Sequence, residues 1–145
     1  MKTAIGAMAF TREKGETLSL ETGCSADHTI GDNDGYYMYL EATGVAQGAR
    51  HVLETATPFP AEVPVCVELW YNMEGTEMGS LYVDIKNSTD VTSTLVASGQ
   101  QGFDWHNFTI AVPPQQSEVW VTINGYRGVG PRSDICIDDI IIYIC

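Results

Sequence analysis

The sequence predicts an all-β fold, and three observations carry that prediction. Aromatic and β-branched residues come in short runs, several alternating with polar residues at a period of two; helical periodicity is almost absent; Gly, Pro, Asn and Asp clusters separate the runs. About eight such runs in a chain of this length predict a two-sheet antiparallel β-sandwich.

The first predicted strand, 36–42, starts at the turn pair Asp34-Gly35 and is dense in tyrosine. A short strand follows at 50–54. Pro58-Phe59-Pro60 then breaks the chain ahead of 65–73, which is rich in valine and aromatic residues. In 81–86, Leu81, Val83 and Ile85 oppose Tyr82, Asp84 and Lys86, the pattern of a half-buried antiparallel strand. The turn Lys86-Asn87-Ser88-Thr89-Asp90 leads into 93–97, and 105–112 stops at Pro113-Pro114. In 118–124, Val119, Val121 and Ile123 oppose Trp120, Thr122 and Asn124. Gly128-Val129-Gly130-Pro131 precedes the last strand, 135–144. Neither an internal repeat nor a linker interrupts this order, so residues 1–145 read as one domain.

The chain has 145 residues, 7 of them Lys or Arg and 19 Asp or Glu, for a formal net charge of -12. That surface repels the nucleic-acid backbone and anionic membranes, which removes nucleic acid from the expected partners. No run approaches the roughly eighteen apolar residues that a membrane helix needs, so no membrane insertion is expected within this chain. Arg12, Glu13 and Lys14 interrupt the apolar start before an export core forms, and no signal peptide is read there.

Four cysteines without a C-x-x-C pair predict two disulfides in an oxidising, extracellular setting. Cys136 and Cys145 fall on one predicted strand, which at about 3.3 Å per residue holds them roughly 30 Å apart. They cannot join each other, and two pairings stay open.

Gly35-Tyr36-Tyr37-Met38-Tyr39-Leu40-Glu41-Ala42, Cys66-Val67-Glu68-Leu69-Trp70-Tyr71-Asn72-Met73 and Ser133-Asp134-Ile135-Cys136-Ile137-Asp138-Asp139-Ile140 together resemble the signature of the MAM domain. This extracellular module is shared by meprins, neuropilins and receptor-type tyrosine phosphatases. Asp27-His28-Thr29, Gly31, Trp105, Gly125, Arg127 and Gly128 follow the same family order. The resemblance implies a jelly-roll-like antiparallel sandwich and a non-catalytic interaction or adhesion module, with homophilic or heterophilic protein partners.

The resemblance also implies a Cys66–Cys145 bridge, which leaves Cys24 with Cys136. The family usually has proline and alanine at those last two places, and a pair of buried free thiols is the alternative. The family's first strand has no counterpart; residues 1–9 stand in its place. They must therefore leave a sheet edge uncovered or supply a different pairing.

Asp27, Asp138 and Asp139 match the acids with which some family members hold a cation, so a structural Ca2+ is an expectation, although a first-strand glutamate is missing. The alternative is that Asp27 caps backbone N–H groups. Asp32, Asp34, Gly35 and Glu41 have EF-hand spacing, but Ile30 occupies the first ligand place and a strand follows.

For catalysis only Cys24, Asp27 and His28 lie close in sequence, and a bridged Cys24 would be no nucleophile, so no enzyme is expected. His51 and His106 read as structural. Asn87-Ser88-Thr89 and Asn107-Phe108-Thr109 are N-glycosylation sequons, with Asn107 outward only if Phe108, Ile110 and Val112 face the core. Most of Tyr36, Tyr37, Tyr39, Trp70, Tyr71, Trp105 and Trp120 are expected in the core between the sheets. The second functional reading, a calcium-assisted carbohydrate-binding jelly roll, would need some of them exposed. Arg127 is expected to pair with Asp134 or Asp138.

Overall fold

Residues that alternate in the sequence alternate between a core and an outer face in the computed structural model, which describes residues 7–145. Ten strands form: β1 (Met8–Ala9), β2 (Thr11–Lys14), β3 (Tyr36–Leu40), β4 (Arg50–Glu54), β5 (Val65–Asn72), β6 (Ser80–Lys86), β7 (Val91–Ser98), β8 (His106–Val112), β9 (Trp120–Tyr126) and β10 (Ile135–Ile144). They make two five-stranded sheets. Sheet A has the order β1-β4-β9-β6-β7 and sheet B the order β2-β3-β10-β5-β8.

All eight predicted strands are present, with β9 displaced two residues towards the C-terminus. Val121 and Ile123 face inward with Leu81, Val83 and Ile85 of β6; Leu40, Val67, Leu69 and Ile137 meet them from sheet B. Full burial of such side chains contributes about 1.5–3 kcal/mol each, which makes this interlayer core the main source of stability.

The two unpredicted strands lie in the front segment, of which residues 1–6 fall outside the described residues. Met8 and Ala9 pair with His51 and Val52, and residues 11–14 pair antiparallel with β3. The β1–β4 pair is parallel, so the sandwich is antiparallel in every pair but that one. Phe10 lies between these strands, buried in the core and edge-on to the His51 ring. One residue thus carries the chain from one sheet to the other, and the expected edge problem is met by capping both sheets.

Cys66–Cys145 and Cys24–Cys136 are both bridged, with Cα atoms 5.7 and 6.2 Å apart. The first ties the end of β10 to β5. The second pins a long connection, residues 15–35, across the outer face of sheet B. Tyr37, Tyr39, Cys24 and Cys136 form a separate small core under that strap, with Trp105 packed against it. Of the aromatics expected between the sheets, Tyr71 alone belongs to the interlayer core, whereas Tyr37 and Tyr39 are buried outside it under the strap, a correction to that expectation. Tyr37 donates its hydroxyl to Gly15 O at 2.7 Å, closing the start of the strap.

Candidate functional site

The strap brings the candidate acids to one place and then satisfies them from the protein itself. Asp27 accepts the backbone N–H of Ile30 and of Gly31, at 2.8 and 3.0 Å, and so caps the turn that follows it. Its carboxylate lies against Gly35, where any Cβ would collide with it. Asp138 accepts the His28 N–H and the Asp139 N–H, both at 2.8 Å.

Asp139 sits at a register shift in β10 with φ +46°, and this bulge turns its carboxylate away from the strand towards the strap. There Oδ2 meets His28 Nδ1 at 2.7 Å and the Thr29 hydroxyl. His28 in turn stacks on Trp70, centroids 3.8 Å apart, with Trp105 edge-on.

Electrostatics follow from this packing. Burial pushes the Asp138 carboxyl up, against its two backbone donors, and the charges of Asp139 and Asp27 push the same way. Burial also works to raise Asp139, but the hydrogen bonds from Thr29 and His28 and the His28 charge outweigh it and hold the group below its ordinary value.

A calcium shell needs several oxygens converging on one point, and among the described residues no group of three or more His, Cys, Asp or Glu side chains is gathered that way. The oxygens of Asp27 and Asp138 are spent on backbone donors. These residues, as arranged, do not fit a shared ion.

The weak catalytic grouping is dismantled in the same region. Cys24 is bridged, Asp27 caps a turn, and His28 is wedged between Trp70 and Asp139. The EF-hand look-alike fails as well, since Asp32 accepts the Asp34 N–H and a strand follows Gly35.

Arg127 departs from expectation. Its Nε donates to Ala42 O at 2.8 Å and its Nη1 reaches Gly128 O, so the guanidinium holds carbonyls where a carboxylate was expected. Asp134 instead accepts the Ala42 N–H at 2.8 Å from a fully buried position, with Oδ2 unpartnered among the described residues. Burial drives its pKa up to about 7, against the Ala42 hydrogen bond and with the Glu41 charge adding to the rise.

At the sequons, Asn87 Oδ1 accepts the Thr89 and Asp90 N–H groups in the β6–β7 turn. Asn107 is exposed on β8, while Phe108 and Ile110 pack on the core and Val112 belongs to it.

What sequence reasoning missed is the outer face of sheet A. There Arg50 Nη1 donates to Asn124 Oδ1 (3.3 Å) and Asn124 Nδ2 donates to Asp84 Oδ2 (2.8 Å). In the next row Thr122 Oγ1 and Lys86 Nζ reach Glu54 Oε2 at 3.2 and 3.1 Å. Thr122 and Asn124 are buried although they point away from the core, because these neighbours cover them. Alternation assigned them to a solvated face; the polar partners on the flanking strands β4 and β6, distant in sequence, left no local signal.

The model of the family "MAM domain, meprin/A5/mu" matches residues 6–145. This chain belongs to the MAM family. The MAM domain here is 33% identical over 134 residues to human MAM domain-containing protein 2, covering 91% of this chain and 19% of that protein. It is 30% identical over 132 residues to neuropilin-1 of Xenopus laevis, covering 89% and 14%. The chain thus spans a fifth or less of these relatives' lengths.

Among solved structures, a family 16 carbohydrate-binding module matches with TM-score 0.57 at 10% identity, covering 79% of each chain. The K1 cleaved adhesin domain of Lys-gingipain from Porphyromonas gingivalis matches with TM-score 0.59 at 11% identity, covering 99% of this chain and 90% of that one. At such identities these neighbours show the jelly-roll fold alone. The two disulfides and the MAM relatives fit an extracellular location, and among the described residues no helix is long and apolar enough to cross a membrane.

Proposed function

We propose that this MAM domain is a non-catalytic extracellular module that docks other proteins. One observation carries the reading. Leu20 and Phe103, 87% and 82% exposed, line one depression of about 280 Å³ together with Glu16, Glu74 and Glu21, the last paired with Arg132, and Leu18 projects from the same strap at 81% exposure. Large apolar side chains left bare within an acidic rim mark a contact surface for a partner that brings apolar residues and basic charge. The disulfide beneath holds the strap against its sheet, so the surface is formed before a partner arrives.

The reading fits the family. In the one grouping that the sequence offered for catalysis, Cys24 is spent in its bridge and His28 is stacked on Trp70 and bonded to Asp139.

Beads coated with the disulfide-intact domain test it, mixed with each other and with intact or protease-shaved animal cells. Homophilic docking clusters the beads; heterophilic docking binds them to intact cells and not to shaved ones. Leu20→Ser with Phe103→Ser should reduce either signal at least tenfold. Binding that survives this pair places the contact elsewhere, and no binding in either format removes the proposal.

A further inference from the structure

The two outer faces of the sandwich differ. The strap covers that of sheet B, whereas the outer face of sheet A carries a groove of about 410 Å³ lined by Ser80, Tyr82, Asp84, Ser93 and Tyr126. Tyr82 and Tyr126 meet edge to face, centroids 5.8 Å apart and planes at 89°, which fixes both rings. Asn124, fully buried beside them, is clamped by Arg50 on one side and binds Asp84 Oδ2 on the other.

The consequence is a carboxylate held in a set plane on the groove floor. Its Oδ1 is buried and unpartnered among the described residues, a position in which an acceptor costs about 1–3 kcal/mol, so the rest of the side chain is what the groove presents.

We propose that this groove binds a neutral oligosaccharide, with sugar hydroxyls meeting the polar side chains of Ser80, Asp84 and Ser93 that line it and a pyranose face packing on the tyrosine pair. Several features select that occupant. A sugar offers hydroxyl donors and an apolar C–H face together, and the groove offers a fixed acceptor, two serine hydroxyls and aromatic carbon. An anionic glycan meets Asp84 and the net charge of -12, while the cations on this face, Lys86 and Arg50, are engaged with Glu54 and Asn124. A peptide strand finds the backbone of β6 already paired on both sides, by β7 and β9. A metal ion finds a single carboxylate with an amide nitrogen directed at it. The proposal stands apart from protein docking, since it uses the opposite sheet and none of the strap residues.

Amide chemical-shift mapping of the labelled, disulfide-intact domain tests it. The probes are neutral cello-, xylo-, manno- and galacto-oligosaccharides of three to six units at millimolar concentration, with sialyllactose and a heparin hexasaccharide as anionic comparators. At least one neutral probe should give saturable shifts confined to 80–84, 93–95 and 122–126. Affinity should fall at least tenfold, about 1.4 kcal/mol, in Asp84→Asn and in Tyr126→Ala, and stay unchanged in Tyr36→Ala on the other sheet. If either groove variant fails to fold, the wild-type shift map decides. Silence across the neutral panel, shifts on the strap, stronger binding of the anionic probes, or undiminished binding by a folded Asp84→Asn would each overturn the proposal. The bead assay should not change in the groove variants, so the two readings fail separately.

Discussion

At the scale of single residues, Asp134 makes the clearest statement about pH. Its folded pKa of about 7 lies above the ordinary 3.8, so the native state keeps a proton that the unfolded chain releases. Stability from this group is fully present below about pH 4 and is lost as pH rises towards 7. The slope is at most about 1.4 kcal/mol per pH unit, or roughly 3–5 °C in melting temperature for a domain of this size. Asp138, also raised by burial, adds in the same direction. Asp134→Asn retains an acceptor for the Ala42 N–H, so the melting temperature of that variant should fall less between pH 4 and 7. Parallel curves for variant and wild type would show that Asp134 does not hold its proton. None of this was legible in the sequence, where Asp134 is one more acid in a loop; its burial comes from the strap and from β3.

At the scale of elements, legibility followed the pattern length. Runs of seven or more alternating residues, such as those of β5 and β6, announce themselves, because one wrong register would expose a whole apolar side. β1 and β2 did not, since two residues and the charged Thr-Arg-Glu-Lys run show no periodicity and become strands only because β4 and β3 offer free edges. Family resemblance singled out the acids 27, 138 and 139 as a cation site, whereas the bulge that delivers Asp139 to His28 left no trace in composition.

The strap is the element most open to test. Cys24–Cys136 closes a loop of 112 residues, and its removal by Cys24→Ala with Cys136→Ala should cost about 4–5 kcal/mol on a chain-entropy estimate. Tyr37 and Tyr39 should then exchange their environment for water while the interlayer core persists, which near-UV circular dichroism reads directly. An unchanged denaturation midpoint would show that the Tyr37, Tyr39 and Trp105 cluster holds the strap without sulfur.

At the scale of the whole molecule, ion binding appears as a shift in global stability, because any ligand of the native state alone raises the melting temperature. We propose that the acidic strap region stands without calcium, its carboxylates being satisfied by backbone donors and by His28. Chelator should leave the melting temperature where it was, and calcium at about 100 times a micromolar dissociation constant should add nothing near the 2.7 kcal/mol that such a site would supply. A calcium-dependent rise, lost in Asp138→Asn, would mean that the loop re-forms around the ion. The architecture was readable at this scale: strands, bridges and family order pointed to one jelly roll, while the two surfaces assigned to partners depend on which sheet the strap happens to cover.

Phe10 has a mechanical corollary. With one residue separating a strand of sheet A from a strand of sheet B, there is no slack by which the layers could shear past each other. Tension arriving from the residue 7 side would first peel the two-residue pairing of β1, then have to pull the Phe10 ring out of the core, and only after that reach the four paired residues of β2.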